Sequence, residues 1–346
     1  MFNFLQNSYS GEVLEDLLVY TAQGNDTSRE GLIHIKEGIQ DKYILPMIQL
    51  KDIIQDNVAT PNSTKSTGDY SFTERYLEPQ KFMIYIEFDP ADFEKYWRFA
   101  QPEGQLLFRE LDPKLQAKML RLLMDKRDTY IGSSIWSGAK GGSASAKITA
   151  PDANCTVIGG ATEGGLMKYF DGAIKRLIDN INSTDENEIA GGQAILAGAT
   201  TLTTGEQVEA ALNSMWKKCP AKIRKNKDLV FVTSWEVWDL YNQYLSDKTV
   251  KYSDNTKLNE FMFHGHRIIP IVGVPEHTIV LGVFNDSMDS NLWMGIDYAS
   301  DQDAVKVDRL QSNSSLYFFQ ARMKMDVNIV RPAEIVVWTA YKKATA

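Results

Sequence analysis

Cysteine and histidine are scarce in this 346-residue sequence, which has 2 cysteines and 4 histidines. The two cysteines, Cys155 and Cys219, are too few for a disulfide framework and too scattered for a zinc motif. The segment His264-Gly265-His266 would put two imidazoles on one strand face, but it has no third ligand nearby in sequence. We therefore interpret both thiols as inert, in keeping with a reducing cytoplasm, and the histidine pair as a polar strand end rather than a metal site.

The sequence also lacks the motifs of common enzymes. It contains no GxSxG, HExxH or CxxC segment and no kinase signature. The glycine-rich segments at 138–143 and 159–165 do not have the spacing of a phosphate-binding loop, so we interpret them as loops. Glu87 and Asp89 share a predicted strand face, where a carboxylate pair for hydrolysis or calcium binding is one interpretation and contact with a neighbouring chain is the favoured one. The prediction is a protein that is not an enzyme and that binds no cofactor and no metal.

Long apolar runs and an excess of positive charge are missing as well. No window approaches the 18 apolar residues of a membrane span, and residues 1–7 do not resemble the start of a signal peptide. The net charge of −8, from 37 basic and 45 acidic residues, argues against a protein that neutralises nucleic-acid phosphates along its whole length. The one basic cluster, at 217–227, follows an amphipathic helix and is interpreted as its solvated end.

What the sequence does have is a long alternating segment near its C-terminus. Apolar and polar residues alternate almost without a break over 316–329, which indicates a half-buried β-strand because successive side chains leave a strand on opposite faces. At about 3.3 Å per residue this strand would span roughly 45 Å, far more than a usual strand. It ends at Arg331-Pro332, and a strand over 334–341 follows. Such length favours an elongated architectural subunit, and the strand's polar face is a candidate contact surface: Gln320, Arg322, Lys324 and Asp326.

The N-terminal third predicts segments that project from a compact body. Weak periodicity over 1–45 indicates an arm. Residues 46–90 predict a long β-hairpin, with an outgoing strand over 51–58, a polar tip over 61–69 and a return strand over 70–89. A hairpin of this length cannot bury both faces in its own domain, so we expect it to reach a neighbour. Deleting residues 62–69 should therefore leave the subunit folded and impair its assembly.

The central part predicts helices followed by a small α/β unit. A short aromatic helix is predicted over 90–99, and a long amphipathic helix over 112–131 has Asp112 as its cap and ends at Gly132. The Gly-, Ser- and Ala-rich stretch over 132–165 is predicted to be a loop or mobile connection. Further predictions are a helix over 165–181, a helix capped by Thr204, a second helix after Ser234, and strands at 229–233, 267–272 and 278–284.

Taken in order, these elements resemble the major capsid protein of tailed bacteriophages, the family with the HK97-type shell fold. The resemblance covers nearly the whole chain and includes the helix exit at 125–132 and the segment Arg331-Pro332-Ala333. It implies an α+β, HK97-like capsid fold with long β-strands. The parts would be an N-terminal arm at 1–45, an extended β-hairpin loop at 46–90, a peripheral domain at 91–194 with a spine helix at 112–131, an axial α/β domain at 195–290, and the peripheral domain's C-terminal strands at 291–346.

The resemblance implies a structural protein of the virion. Such a protein self-assembles in the host cytoplasm into hexamers and pentamers of an icosahedral shell around double-stranded DNA, which it binds without sequence specificity, and it has no membrane partner. Many members carry a scaffolding extension before the arm. Since this chain starts at Met1 without one, we expect a separate scaffolding protein or none, beside portal and decoration proteins. The candidate inter-subunit contacts are Lys65, Glu87, Asp89, Trp97, Arg322 and Lys324.

Some members of that family cross-link their subunits through a loop lysine and an asparagine, assisted by a buried glutamate. Lys65 lies at a comparable hairpin tip, but the long strand has Asp326 as its only acid. We therefore do not expect cross-linking here. Two other interpretations of the whole chain stay open at this point: an encapsulin-type compartment shell, and, ranked lower, a soluble α/β hydrolase or ligand-binding enzyme.

Overall fold

The computed structural model describes residues 25–51, 57, 69–89, 113–162, 165–247, 262–297, 306–311 and 316–344. The predicted helix over 90–99, the hairpin tip up to residue 68 and most of the predicted arm lie outside these residues. The described part is an α+β structure whose two largest sheets share one continuous apolar core. Among the described residues, no helix combines the length and apolarity needed to cross a membrane.

The first sheet is built around the long strand that the alternating pattern predicts. This strand, β15, runs over Tyr317–Ile329, which confirms the prediction. It pairs antiparallel with β4 (Gln80–Phe88), β13 (Leu292–Ile296) and β14 (Lys306–Arg309), and β1 (His34–Lys36) pairs in parallel with β13.

The apolar face of β15 packs against two helices, α2 (Pro113–Ser137) and α4 (Ala173–Asn182). The predicted stop of α2 at Gly132 is wrong, because the helix continues to Ser137. Ile135 and Trp136 are fully buried in the main core, and this burial outweighs the weak helix propensity of glycine. Gly132 lies beside the side chain of Asn25, which caps the short helix α1 (Asp26–Arg29).

The stretch over 132–165 is not the mobile connection that its composition predicts. Ala139, Ala146, Cys155 and Ile158 all lie in the main core. Small residues make this packing possible, since a Cβ on Gly159 would lie only 2.8 Å from the Cβ of Ala139. The stretch also contains short elements, namely α3 (Ser143–Ala146), β5 (Ile148–Thr149) and β6 (Ala161–Thr162), which is followed by β7 (Gly165–Leu166).

The second sheet forms the predicted α/β unit, and the strand after Arg331-Pro332 also joins it. Two helices pack on it, α5 (Gly205–Lys218) and α6 (Trp235–Asp247), and Thr204 caps α5 as predicted by accepting a bond from the Gln207 N–H. Its strands, in spatial order, are β10 (Met262–Phe263), β11 (His266–Pro270), β9 (Leu229–Thr233), β12 (Thr278–Val283), β16 (Val336–Thr339) and β8 (Ile195–Gly198). A last strand, β17 (Lys342–Lys343), pairs with β5.

The buried charges on α2 make the stability of the subunit depend on pH. The Asp128 side chain is 16% exposed, and the Arg127 Nε atom lies 3.9 Å from its Oδ1, beyond hydrogen-bond distance. Burial raises the pKa of Asp128 to about 7, and the attraction of Arg127 offsets this only in part. The pKa of Asp128 is thus higher in the folded than in the unfolded chain, so the protonated carboxyl stabilises the folded state. This stabilisation is complete below about pH 4 and is lost as the pH rises through 7.

We expect the substitution Asp128→Asn to remove this pH dependence. Between pH 5.5 and 8.5 the unassembled wild-type subunit should lose about 1–2 kcal/mol of unfolding free energy relative to D128N, a value that allows for solvent screening at a partly exposed site. Urea unfolding of both proteins at the two pH values measures the difference. If wild type and D128N differ in unfolding free energy by the same amount at pH 5.5 and at pH 8.5, Asp128 does not titrate in this range.

Candidate self-association surface

The β-hairpin is present, but its strands differ from the predicted ones. Strand β2 (Tyr43–Lys51) pairs antiparallel with β3 (Asp69–Leu77), so the outgoing strand begins at Tyr43 and not at Lys51. The predicted single return strand is also wrong. Strand β3 ends before Glu78-Pro79, because proline has no N–H for the hydrogen-bond ladder. The next strand, β4, then leaves the hairpin and pairs with β15.

The outer face of the hairpin is exposed to solvent and largely apolar, with Glu74 between Phe72 and Tyr76. Phe72 is 71% exposed and Tyr70 is 63% exposed, and Ile44 and Tyr76 lie on the same face. We call these four residues the hairpin face. Lys42 approaches it, with its Nζ 4.1 Å from the centre of the Tyr76 ring. A two-stranded ribbon gains little stability by itself, and a group of large exposed apolar residues on one face favours a surface that binds another protein.

A second exposed patch lies on β4 and the strand beside it. Met83 pairs directly with Arg322, and both side chains are exposed. The Tyr85 hydroxyl donates a 2.6 Å bond to Glu87 Oε1, which confirms that these two residues share a strand face and raises the pKa of Tyr85. Of the predicted contact residues, Glu87 and Arg322 therefore occupy one patch, which combines apolar, acidic and basic groups. We call it the β4 patch.

A buried arginine fixes the base of the hairpin to the body of the subunit. Arg75 lies on the inner face of β3 and is 7% exposed. Its guanidinium donates to three backbone carbonyls, those of Ala190 at 2.8 Å, Ile329 at 3.0 Å and Glu188 at 2.5 Å. Burial lowers the pKa of Arg75 to about 10, so the group stays charged at neutral pH. The orientation of the hairpin is thus set by these polar contacts together with the buried Leu45 and Leu77 at its base, and it does not depend on the exposed apolar residues of the opposite face.

The end of β15 that lies under the hairpin completes this attachment. Asp326 accepts bonds from the Glu78 N–H and from Arg176 Nη2, both at 2.8 Å. Asn328 Nδ2 donates to the Tyr76 carbonyl at 2.6 Å. Asp326 therefore joins the hairpin exit, β15 and α4. We call Arg75, Asp326 and Asn328 the hairpin anchor.

The predicted exposure of Asp326 on the polar face of β15 is consequently wrong. Asp326 is only 3% exposed, because the hairpin base covers it. Lys324 is engaged within its own chain, with its Nζ 2.8 Å from Asp297 Oδ2 and 3.0 Å from the Gln40 carbonyl oxygen. Gln320 is half-buried, which leaves Arg322 as the exposed member of the predicted polar face.

The loop that receives Arg75 is shaped by a residue that sequence reasoning missed. Asn180 accepts a 2.7 Å bond from the Ala194 N–H and donates to the carbonyls of Glu188 and Gly192. Gly191 has a φ of +80°, and a Cβ there would lie 2.7 Å from Met47 of the hairpin. The sequence shows a polar, glycine-rich stretch here, and nothing in it indicates that the stretch binds a buried arginine.

The remaining predicted residues have different outcomes. Lys65 and Trp97 lie outside the described residues, and Asp89 is half-buried just beyond the end of β4. His264 stacks on Trp216, with ring centres 5.0 Å apart. The two ring nitrogens of His266 lie 3.1 and 3.2 Å from backbone carbonyl oxygens. His264 is exposed in the turn between β10 and β11, so the two histidines do not share one strand face as predicted.

Comparison with known proteins identifies the fold. No model of a known protein family matches the sequence, and no curated protein matches it significantly. A chain of the satellite phage P4 procapsid is 9% identical with a TM-score of 0.56, over 96% of this chain and 92% of that one. A chain of the cyanophage A-1(L) capsid is 15% identical with a TM-score of 0.51, over 98% of this chain and 96% of that one. A chain from the capsid of an empty GTA particle is 10% identical with a TM-score of 0.53, over 97% of this chain and 94% of that one. The chain thus has the fold of phage capsid proteins, in agreement with the HK97-like resemblance.

Proposed function

We propose that the chain is the major capsid protein of a tailed bacteriophage. It assembles into hexamers and pentamers of an icosahedral shell that encloses double-stranded DNA. The observation that carries this proposal is an apolar hairpin face that the subunit holds out in a fixed orientation and does not bury itself. The capsid fold over nearly the whole chain supports it.

The hairpin face and the rest of the subunit surface are different surfaces, so a contact between them is heterologous. Heterologous contacts generate closed rings when the rotation between neighbours closes. A projecting hairpin laid over a neighbour also adds contact area that a compact body could not reach. Glu87 and Arg322 of the β4 patch add charges that can fix the register of such a contact, and Lys65, Asp89 and Trp97 remain candidates for further contacts.

The finer assignments belong to the same proposal. Residues 1–45 are assigned to the arm and 46–90 to the extended loop, although β2 of the hairpin already begins at Tyr43 and β4 pairs with β15. Residues 91–194 and 291–346 are assigned to the peripheral domain, and 195–290 to the axial domain, whose sheet also includes β16. The chain acts in the virion as a structural protein without catalytic activity and is assembled in the host cytoplasm. Its further partners are packaged DNA, bound without sequence specificity, a portal and decoration proteins, and it assembles with a scaffolding protein or with none.

Electron microscopy of the purified protein under assembly conditions tests the proposal. We expect closed, uniform shells or the rings from which they are built. Discrete monomers under all assembly conditions, with a compact scattering profile, would contradict it. The cargo of particles isolated from infected or expressing cells separates a phage capsid from an encapsulin-type compartment, because the first contains nuclease-protected DNA and the second contains an enzyme.

A further inference from the structure

Three side chains with metal-binding atoms converge away from the hairpin, where the segment over 150–158 meets the start of β12. A carboxylate oxygen of Asp152, the Cys155 sulfur and a ring nitrogen of His277 all lie within 4.8 Å of one another. Sequence reasoning interpreted Cys155 as an inert thiol and assigned no role to His277. It missed the cluster because more than a hundred residues separate His277 from the other two, and short-spaced motifs cannot show such a site.

The imidazole of His277 is held in an orientation suited to metal binding. His277 is 5% exposed, and its Nδ1 lies 3.0 Å from the Leu202 carbonyl oxygen and 3.4 Å from the Leu202 nitrogen. In the tautomer that carries the proton on Nδ1 and donates it to this carbonyl, the lone pair on Nε2 is available to a metal. Metal-bound histidines are typically oriented by such a bond from the second ring nitrogen to a carbonyl or carboxylate. Glu236 adds negative charge on the same side, with its Oε2 3.6 Å from Nδ1.

The turn that carries Asp152 and Cys155 is also fixed by its own contacts. Asp152 Oδ1 accepts a 2.8 Å bond from the Asn154 N–H, and this bond, with a smaller contribution from Cys155, holds the pKa of Asp152 below its usual value. Glu276 accepts bonds from the Thr156 N–H at 2.7 Å and the Thr156 hydroxyl at 2.9 Å. The Tyr341 hydroxyl, 3.1 Å from Glu276 Oε2, completes this support.

We propose that Asp152, Cys155 and His277 bind a zinc-type divalent ion, with water as the fourth ligand. Sulfur, nitrogen and one carboxylate are the donors of zinc sites, whereas magnesium and calcium take oxygen ligands. Bond lengths of about 2.0–2.3 Å put tetrahedral ligand atoms roughly 3.5 Å apart, so the site closes by about 1 Å on binding. Asp152 is exposed, which allows this movement and gives the ion and its water access to the site.

The ion would join the 150–158 segment to β12 of the second sheet. Zinc binds the thiolate form of cysteine, so binding displaces the proton of the Cys155 thiol to solvent or buffer, and no redox partner is required. The site lies outside the hairpin face and the β4 patch, so its test is independent of the proposed capsid function.

Titration of the chelator-treated full-length protein with zinc alone tests the site, and cobalt substitution identifies the sulfur ligand. We expect one zinc ion per chain and a thiolate-to-cobalt charge-transfer band. Cys155→Ser should abolish the band, and Asp152→Asn should weaken zinc binding at least 10-fold, while the amide oxygen that replaces the carboxylate still accepts the turn's hydrogen bond. Cys219→Ser is the matched control, because Cys219 is also a buried thiol but lies beside Arg224. The Cys219→Ser variant should bind zinc like the wild type.

Two results would overturn the proposal. One is wild-type protein that binds no zinc, and the other is a cobalt spectrum that Cys155→Ser leaves unchanged. If Cys155→Ser does not fold, D152N decides the question, since it alters an exposed side chain: an affinity equal to that of the wild type would exclude the site.

Discussion

Replacing Phe72 and Tyr76 with serine should raise the protein concentration needed for assembly by about 100-fold or more. Burial of one large apolar side chain contributes about 1.5–3 kcal/mol, so the pair contributes roughly 3–6 kcal/mol to each contact. Each 1.4 kcal/mol corresponds to a factor of about ten in an equilibrium constant. Every subunit in a shell repeats the contact, and the loss therefore acts at every hairpin.

The fold of the subunit should survive this change. Both side chains are exposed in the isolated chain, so the free energy of unfolding of the unassembled double variant should stay within about 0.5 kcal/mol of the wild-type value. The matched control, Phe72→Leu with Tyr76→Phe, keeps apolar side chains at both positions and should assemble close to the wild-type concentration. Light scattering across a concentration series measures the assembly threshold. If the serine variant assembles at the same concentration as the wild type, the hairpin face does not contribute to assembly.

The substitution Asp326→Asn should destabilise the folded subunit by about 3 kcal/mol. It leaves Arg176 without the carboxylate that lies 2.8 Å from its Nη2, and it weakens the bond from the Glu78 N–H. Loss of one partner of a buried ion pair typically costs about 3–5 kcal/mol, because the other charge remains buried without compensation. The amide keeps the shape of the side chain, so the change removes the charge with little effect on packing.

An acid-to-amide substitution at an exposed pair is the control for this prediction. Glu334 lies 3.0 Å from Arg331, and both side chains are about one-third exposed. Glu334→Gln should therefore cost less than about 1 kcal/mol. Denaturant unfolding of the unassembled variants measures both values. Equal losses in D326N and E334Q would mean that the hairpin anchor contributes no more than an ordinary surface ion pair.

Where a pattern reports on burial along a single element, the sequence predicted the structure well. The alternation over 316–329 predicted β15, since its apolar face packs against helices of the same chain. The cap at Thr204 predicted the start of α5, because capping depends on residues only a few positions apart.

The predictions that failed depend on contacts between distant parts of the chain. Asp326 belongs to a polar strand face by alternation, and only the folded hairpin base shows that it is buried. In β3 the pattern is partly reversed with respect to an ordinary strand, because Phe72 and Tyr76 face solvent while Arg75 lies beside the buried Leu77 on the inner face. A rule that places apolar residues inside assigns these faces incorrectly unless a neighbouring subunit is taken into account.

Cryo-electron microscopy of assembled particles tests the central claim most directly. At a resolution that shows side chains, we predict that Phe72 and Tyr76 of every hairpin are buried against a different surface of an adjacent subunit, while Arg75 keeps its bonds to the body of its own chain. A shell in which the hairpin face remains open to solvent would contradict the account.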